Sequence, residues 1–137
     1  MPFGQVEVKK GEYKEGRFEG RGVCRYANGN VYDGEWKAGM YEGRGVMRYA
    51  NGDVYEGEYK AGKYEGRGVY RYADGDVESG FYKQGADVGE GVRWKADGRR
   101  AVRLRDGEPV ELISLEEARQ TAERLGLPLP SPLPGAA

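Results

Sequence analysis

Histidine occurs nowhere in the 137 residues, so no imidazole is available as a general base, as a metal ligand or as the centre of a Ser-His or Cys-His pair. The single cysteine, Cys24, cannot close an internal disulfide, which suits a reducing compartment. The adjacent Arg25 should point to the opposite side of a strand, so it does not activate the thiol. Cys24, Met47 and Tyr70 recur at one spacing, which reads as a small apolar packing position. The carboxylates also recur regularly, as solvated strand positions do and as an acid–base pair would not. Gly43-x-Gly45 lacks the third glycine of a dinucleotide fingerprint, Arg48 standing in its place. No catalytic residue, cofactor or metal is expected. The chemistry that remains is recognition by aromatic side chains, since Tyr and Trp are the types enriched in interface hot spots.

Those aromatics are placed by a repeat. Residues 32–52 return 23 residues later as 55–75, and glycines and tyrosines at matching positions extend the pattern in both directions. The frames are 9–31, 32–54, 55–77 and a degenerate 78–100, in which Glu78 and Lys95 replace tyrosines and Trp94 sits one place early. The 24 glycines and few Leu, Ile or Phe argue against one round core, whereas stacked units can share a core that runs as a stripe.

Each frame divides into two strand-like pieces, such as residues 31–37 and 45–50, with residues 38–44 read as a glycine-containing turn. Asn-Gly or Asp-Gly follows at 28, 51, 74 and 97, a strong hairpin signal because these residues tolerate positive φ. A three-residue Asn-Gly-Asp loop would pair Tyr49 with Tyr55, Arg48 with Glu56, Met47 with Gly57 and Gly45 with Tyr59. That register puts the aromatics on one face, sets each glycine against a larger side chain, and makes ion pairs of Arg48–Glu56 and Arg25–Asp33 on the other face. Residues 3–10 are expected to form an opening strand, and 101–112 a capping hairpin that turns at Asp106-Gly107. Gly34, Gly57 and Gly80 leave room for facing rings to lie over the backbone.

The fold class expected is all-β: an elongated single-layer antiparallel meander over residues 1–113, with a short α-helix at 114–126. Ser114 and Glu117 form a capping box, and Gly126 with Pro128 ends the helix. Residues 127–137, with alternating prolines, are expected to be an extended and mostly disordered tail. With 22 basic and 23 acidic residues the net charge is −1, which disfavours nucleic acid as a partner. No apolar run is long enough to cross a membrane, and the first ten residues lack a signal-peptide core, so a soluble cytoplasmic protein, associated with cytoskeleton or membrane surface, is expected.

The pattern Tyr-x-Gly-x-aromatic, then Gly43-x-Gly45, then Asn/Asp-Gly, on a 23-residue period over residues 9–100, resembles the MORN (membrane occupation and recognition nexus) repeat. The resemblance implies an elongated array of β-hairpins whose aromatic-lined groove binds protein segments, and it carries Tyr32, Trp36, Tyr49, Tyr55, Tyr59 and Tyr72 over as groove aromatics. Adding the residues that share their face, the expected partner-binding groove is Tyr26, Tyr32, Trp36, Tyr49, Tyr55, Tyr59, Tyr72 and Tyr82. A single-layer sheet would leave that face uncovered, and a long exposed aromatic stripe marks a binding site. The function expected is a non-enzymatic scaffold holding a helical or extended protein segment. A second copy of the chain and its own C-terminal helix are further candidate occupants, although a cap over the degenerate last hairpin is the reading preferred for the helix. The alternative functions are an adaptor that binds phosphoinositide headgroups at a membrane surface and a regulatory module of a larger protein.

Overall fold

A computed structural model describes residues 6–134. Residues 3–5 of the expected opening strand and 135–137 of the tail lie outside it. The strands are β1 (Val6–Lys14), β2 (Arg17–Tyr26), β3 (Val31–Lys37), β4 (Met40–Arg48), β5 (Val54–Lys60), β6 (Lys63–Arg71), β7 (Val77–Lys83), β8 (Ala86–Trp94), β9 (Ala101–Arg105) and β10 (Glu108–Ile113), followed by helix α1 (Leu115–Leu125). They form one open antiparallel sheet in which every strand lies beside its sequence neighbours. The chain is thus an all-β meander with one short helix.

Two kinds of connection alternate. The tight ones are two-residue turns at Glu15-Gly16, Ala38-Gly39, Ala61-Gly62, Gln84-Gly85 and Asp106-Gly107, with positive φ at both residues, as a type I′ hairpin requires. The segment 38–44, expected to be all turn, therefore turns only at Ala38-Gly39 and continues as β4. The Asn/Asp-Gly dipeptides occupy the wider connections, where the Asn51 side chain accepts a hydrogen bond from Asp53 N at 2.9 Å and Tyr49 N bonds Asp53 O at 2.9 Å. This side-chain turn draws Ala50 into the loop.

The expected register is therefore corrected by two residues. Arg48 lies opposite Val54, Met47 opposite Tyr55, Gly45 opposite Gly57 and Gly43 opposite Tyr59. A shift by two preserves which face each side chain occupies, so the aromatics still share a side. The ion pairs do change. Arg25 faces Val31 across the ladder, and Asp33 pairs with Arg21 at 3.5 Å, an exposed contact worth little.

The glycines meet each other rather than larger residues. Gly11, Gly22, Gly34, Gly45, Gly57, Gly68 and Gly80 form a continuous row across β1 to β7. The row is a trough floored by backbone, and aromatic rings lie in it. A Cβ on Gly22 would sit 2.9 Å from Phe18 Cζ, one on Gly45 2.5 Å from Tyr32 Cζ, and one on Gly68 2.8 Å from Tyr55 Cζ. Successive repeats are also stitched side to side. Ala38 N, Ala61 N and Gln84 N donate to Glu19, Glu42 and Glu65 carboxylates, while Ala50 N, Ala73 N and Ala96 N donate to Asn30, Asp53 and Asp76 side chains. The 23-residue period reflects these clips: each one needs its acceptor one repeat back.

The fourth frame departs from the pattern for a physical reason. On the charged face, the position of Asp33 and Glu56 becomes Ser79, that of Glu35 and Glu58 becomes Phe81, and that of Arg25, Arg48 and Arg71 becomes Trp94. This face thereby turns apolar where α1 packs on β8 and β9, and Val92, Trp94, Ala101, Ala118, Ala122 and Leu127 form a second buried cluster. Ser114 caps α1, accepting from Glu117 N at 3.1 Å, and Gly126 closes it at φ 70°. The helix thus lies on the face opposite the aromatics and is not an occupant of their groove. Residues 127–134 of the tail, expected to be mostly disordered, are packed: Leu127 and Pro130 are buried, and Pro128 O accepts from Ser79 Oγ at 2.9 Å.

Candidate binding site

The aromatic face is built by strand alternation. Tyr32, Trp36, Tyr55, Tyr59 and Tyr82 come from the first strand of each hairpin, and Tyr26, Tyr49 and Tyr72 from the last residue before each wide loop or just beyond it. The expectation that a single layer leaves this face uncovered is corrected. Tyr32 and Tyr55 have no exposed surface, Tyr26, Trp36, Tyr59 and Tyr82 are buried, and only Tyr49 and Tyr72 are half-exposed. The rings cover one another. Tyr32 stacks on Tyr41 with centroids 4.0 Å apart and Tyr55 on Tyr64 at 3.8 Å, while Tyr59 stands edge-on to Tyr32 and Tyr55 at 5.3 and 5.2 Å.

The stacking partners Phe18, Tyr41 and Tyr64 were absent from the expected set because their segment was read as turn. The signal for them was present: they recur every 23 residues like the others. Polar atoms within the stripe are mostly satisfied. Trp36 Nε1 donates to Gly22 O at 3.0 Å, Tyr55 OH donates to Glu58 O at 2.9 Å, and the Tyr26–Tyr41 and Tyr49–Tyr64 hydroxyls bond each other. Burial pushes the Tyr41 phenol up to about 12, and those of Tyr59 and Tyr82 well above the usual range, so all three stay neutral. Cys24 is buried against Tyr32 across the ladder and takes the packing role its spacing suggested.

A depression of about 230 Å³ remains open on this face, lined by Tyr41, Met47, Tyr49, Tyr59, Lys63 and Tyr64. Tyr59 is only 4% exposed, and its hydroxyl has no hydrogen-bond partner among the described residues. It is a neutral donor held in an apolar wall, and an unmatched buried hydroxyl is costly.

At the far end of the stripe the chemistry changes. Glu78 takes the place of Tyr32 and Tyr55, and Asp87 that of Tyr41 and Tyr64, so a stacked ring pair becomes a pair of carboxyls. Glu78 is buried, within reach of the Tyr72 hydroxyl at 3.2 Å and the Tyr82 hydroxyl at 3.4 Å; Tyr70 and Arg93 face it from the flanking strands. Burial, followed by the Asp87 charge, raises its carboxyl to about 7. Nearby Asp76 behaves oppositely: burial opposes its charge, but bonds from Lys95, Ala96 N and Arg93 outweigh that and hold it low. A raised folded-state value means that the contribution from Glu78 is complete below its unfolded value and is lost as pH climbs through 7. Stability should therefore fall from pH 5 to pH 8 by on the order of 3 kcal/mol, and Glu78→Gln should flatten that slope. Urea titrations at several pH values check this; an unchanged slope in the variant would reject the assignment.

Residues 10–31, 32–54 and 55–77 each match the MORN repeat family. Repeats of this family generally serve as non-catalytic modules for protein or membrane interaction. No curated protein matches the chain. The matched segments coincide with the glycine row, the stacked rings and the inter-repeat clips, each of which requires its residue in every frame. The chain is a MORN-repeat protein, with three matched repeats and a fourth, divergent frame that carries the helix.

Proposed function

We propose that the chain is a non-enzymatic interaction module that holds a segment of a partner protein on its aromatic face, seating an apolar side chain in the depression beside Tyr49 and Tyr64. The observation that carries this reading is the open depression of about 230 Å³ on the aromatic face, whose rim of Tyr49, Lys63 and Tyr64 is part-exposed. The partner contacts are then the open rim, namely Tyr49, Lys63 and Tyr64. Tyr26, Tyr32, Trp36, Tyr55 and Tyr82 serve by building the wall.

This division of roles decides which variants can test the reading. Tyr59→Phe removes only the hydroxyl and should stabilise the free protein by about 1 kcal/mol, because the unmatched group is gone. Lys63→Glu, at the exposed rim, should weaken partner binding, whereas Tyr59→Phe, which alters only a buried atom, should leave it unchanged. Calorimetric unfolding and quantitative pull-down against Lys63→Glu, with Lys37→Glu as an outer control, provide the measurements. Unimpaired capture by Lys63→Glu would reject the reading, as would salt-sensitive sedimentation with phosphoinositide vesicles, which would favour a lipid ligand.

A further inference from the structure

The charged face carries a second surface, independent of the aromatic one. In each matched repeat a valine stands between two arginines on this face: Arg21-x-Val23-x-Arg25, Arg44-x-Val46-x-Arg48 and Arg67-x-Val69-x-Arg71. The residue across the ladder from the valine, on the following strand, is Asp33, Glu56 and Ser79 in turn. The third of these sites is occupied by the tail of the same chain. Arg71 donates to the carbonyls of Ser131 and Pro132 at 2.9 Å each, Ser79 donates to Pro128 O, and Val69 is buried beneath. Proline-rich backbone suits such a site, because it is extended, its carbonyls are unsatisfied internally, and it has few N–H groups that would need acceptors.

The second site repeats this arrangement two strands away, roughly 10 Å along the sheet. Val46 is half-exposed, and Arg48 is exposed and makes no side-chain hydrogen bond among the described residues. Alongside it a trough of about 760 Å³, lined by Arg44, Glu56, Glu58 and Arg67, runs up to Leu129 and Pro130 of the tail, which forms one wall. The two sites differ in one respect that sets the ligand. Where Ser79 donates, exposed Glu56 accepts with a full negative charge.

The geometry points to Arg44, Val46, Arg48 and Glu56 as a docking site for an extended proline-rich segment of another protein that carries a basic side chain. Arg48 takes two successive carbonyls as Arg71 does, Val46 packs under the proline rings, and Glu56 receives the lysine or arginine. The tail of a second copy fits less well, since residues 127–137 contain no charge and would leave Glu56 unmatched.

The test uses the full chain and two acetylated, amidated peptides: residues 127–134 in their own sequence, and the same peptide with lysine in place of Leu129. Titration followed by amide NMR should show the lysine peptide binding at least tenfold tighter, with shifts centred on β4 and β5. Arg48→Ala should weaken it at least fivefold, and Glu56→Gln should bring the two peptides to equal affinity. Both substitutions are at exposed positions, so the fold is retained. Equal binding of the two peptides to the wild-type chain would overturn the proposal. Insensitivity to Arg48→Ala, or shifts confined to β6 and β7 as the tail is displaced, would do the same. All these outcomes leave the aromatic-face reading untouched.

Discussion

Tyr55→Ala is expected to remove about 3–5 kcal/mol of stability, a large part of what a domain of this size possesses. The ring of Tyr55 has no exposed surface. It stacks on Tyr64 at 3.8 Å, meets Tyr59 and Tyr82 edge-on at 5.2 and 5.4 Å, and lies over Gly57 and Gly68. Removing it uncovers two repeats at once, because each ring is the wall of its neighbour's pocket. Glycines beneath offer no side chain to relax into the gap, so the cavity persists. Tyr55→Phe keeps the stack and loses only the hydroxyl bond to Glu58 O, and should cost about 1 kcal/mol. Urea unfolding of the two variants separates the effects. A similar loss in both would show that the hydroxyl, not the ring, dominates.

Gly57→Ala is expected to cost about 3 kcal/mol or more, although it adds a single methyl group. An added Cβ would sit 2.6 Å from Arg67 O and 2.6 Å from Gly68 Cα, and 2.7 Å from Tyr55 OH. The first two are backbone atoms of β6, hydrogen-bonded into the ladder, so relief requires the strands to part. Gly62→Ala is the matching control. It sits in a two-residue turn at φ 86° with nothing within 4 Å of the added carbon, and should lose only the ~1–2 kcal/mol of a left-handed L-residue. Equal losses at 57 and 62 would mean that backbone conformation, and not closeness of strands, explains the glycine row. If the row works as described, binding studies on the aromatic face must avoid both ring truncations and glycine replacements, since each would unfold the surface it was meant to probe.

Much of this was legible in the sequence. The 23-residue period by itself determines the repeat, because glycine, aromatic and carboxylate positions each have to recur to make the row, the stack and the clips. Alternation within strands determines which side chains share a face, and it survives an error of two residues in register. The capping box at Ser114 and Glu117 and the terminating Gly126 place the helix, since those signals are local.

What the tertiary structure decided is what covers each face. Local pattern shows that Tyr32, Trp36 and Tyr55 lie on one side, but only strand spacing shows that rings from adjacent hairpins are close enough to bury each other. A stripe that seemed open is therefore mostly core, with a depression beside Tyr49 and Tyr64 left open. The helix and tail follow the same logic. Their amphipathic and proline-rich sequences name no target, and the target is set by Ser79, Phe81 and Trp94, outward positions on two adjacent strands that the sheet brings together into one patch.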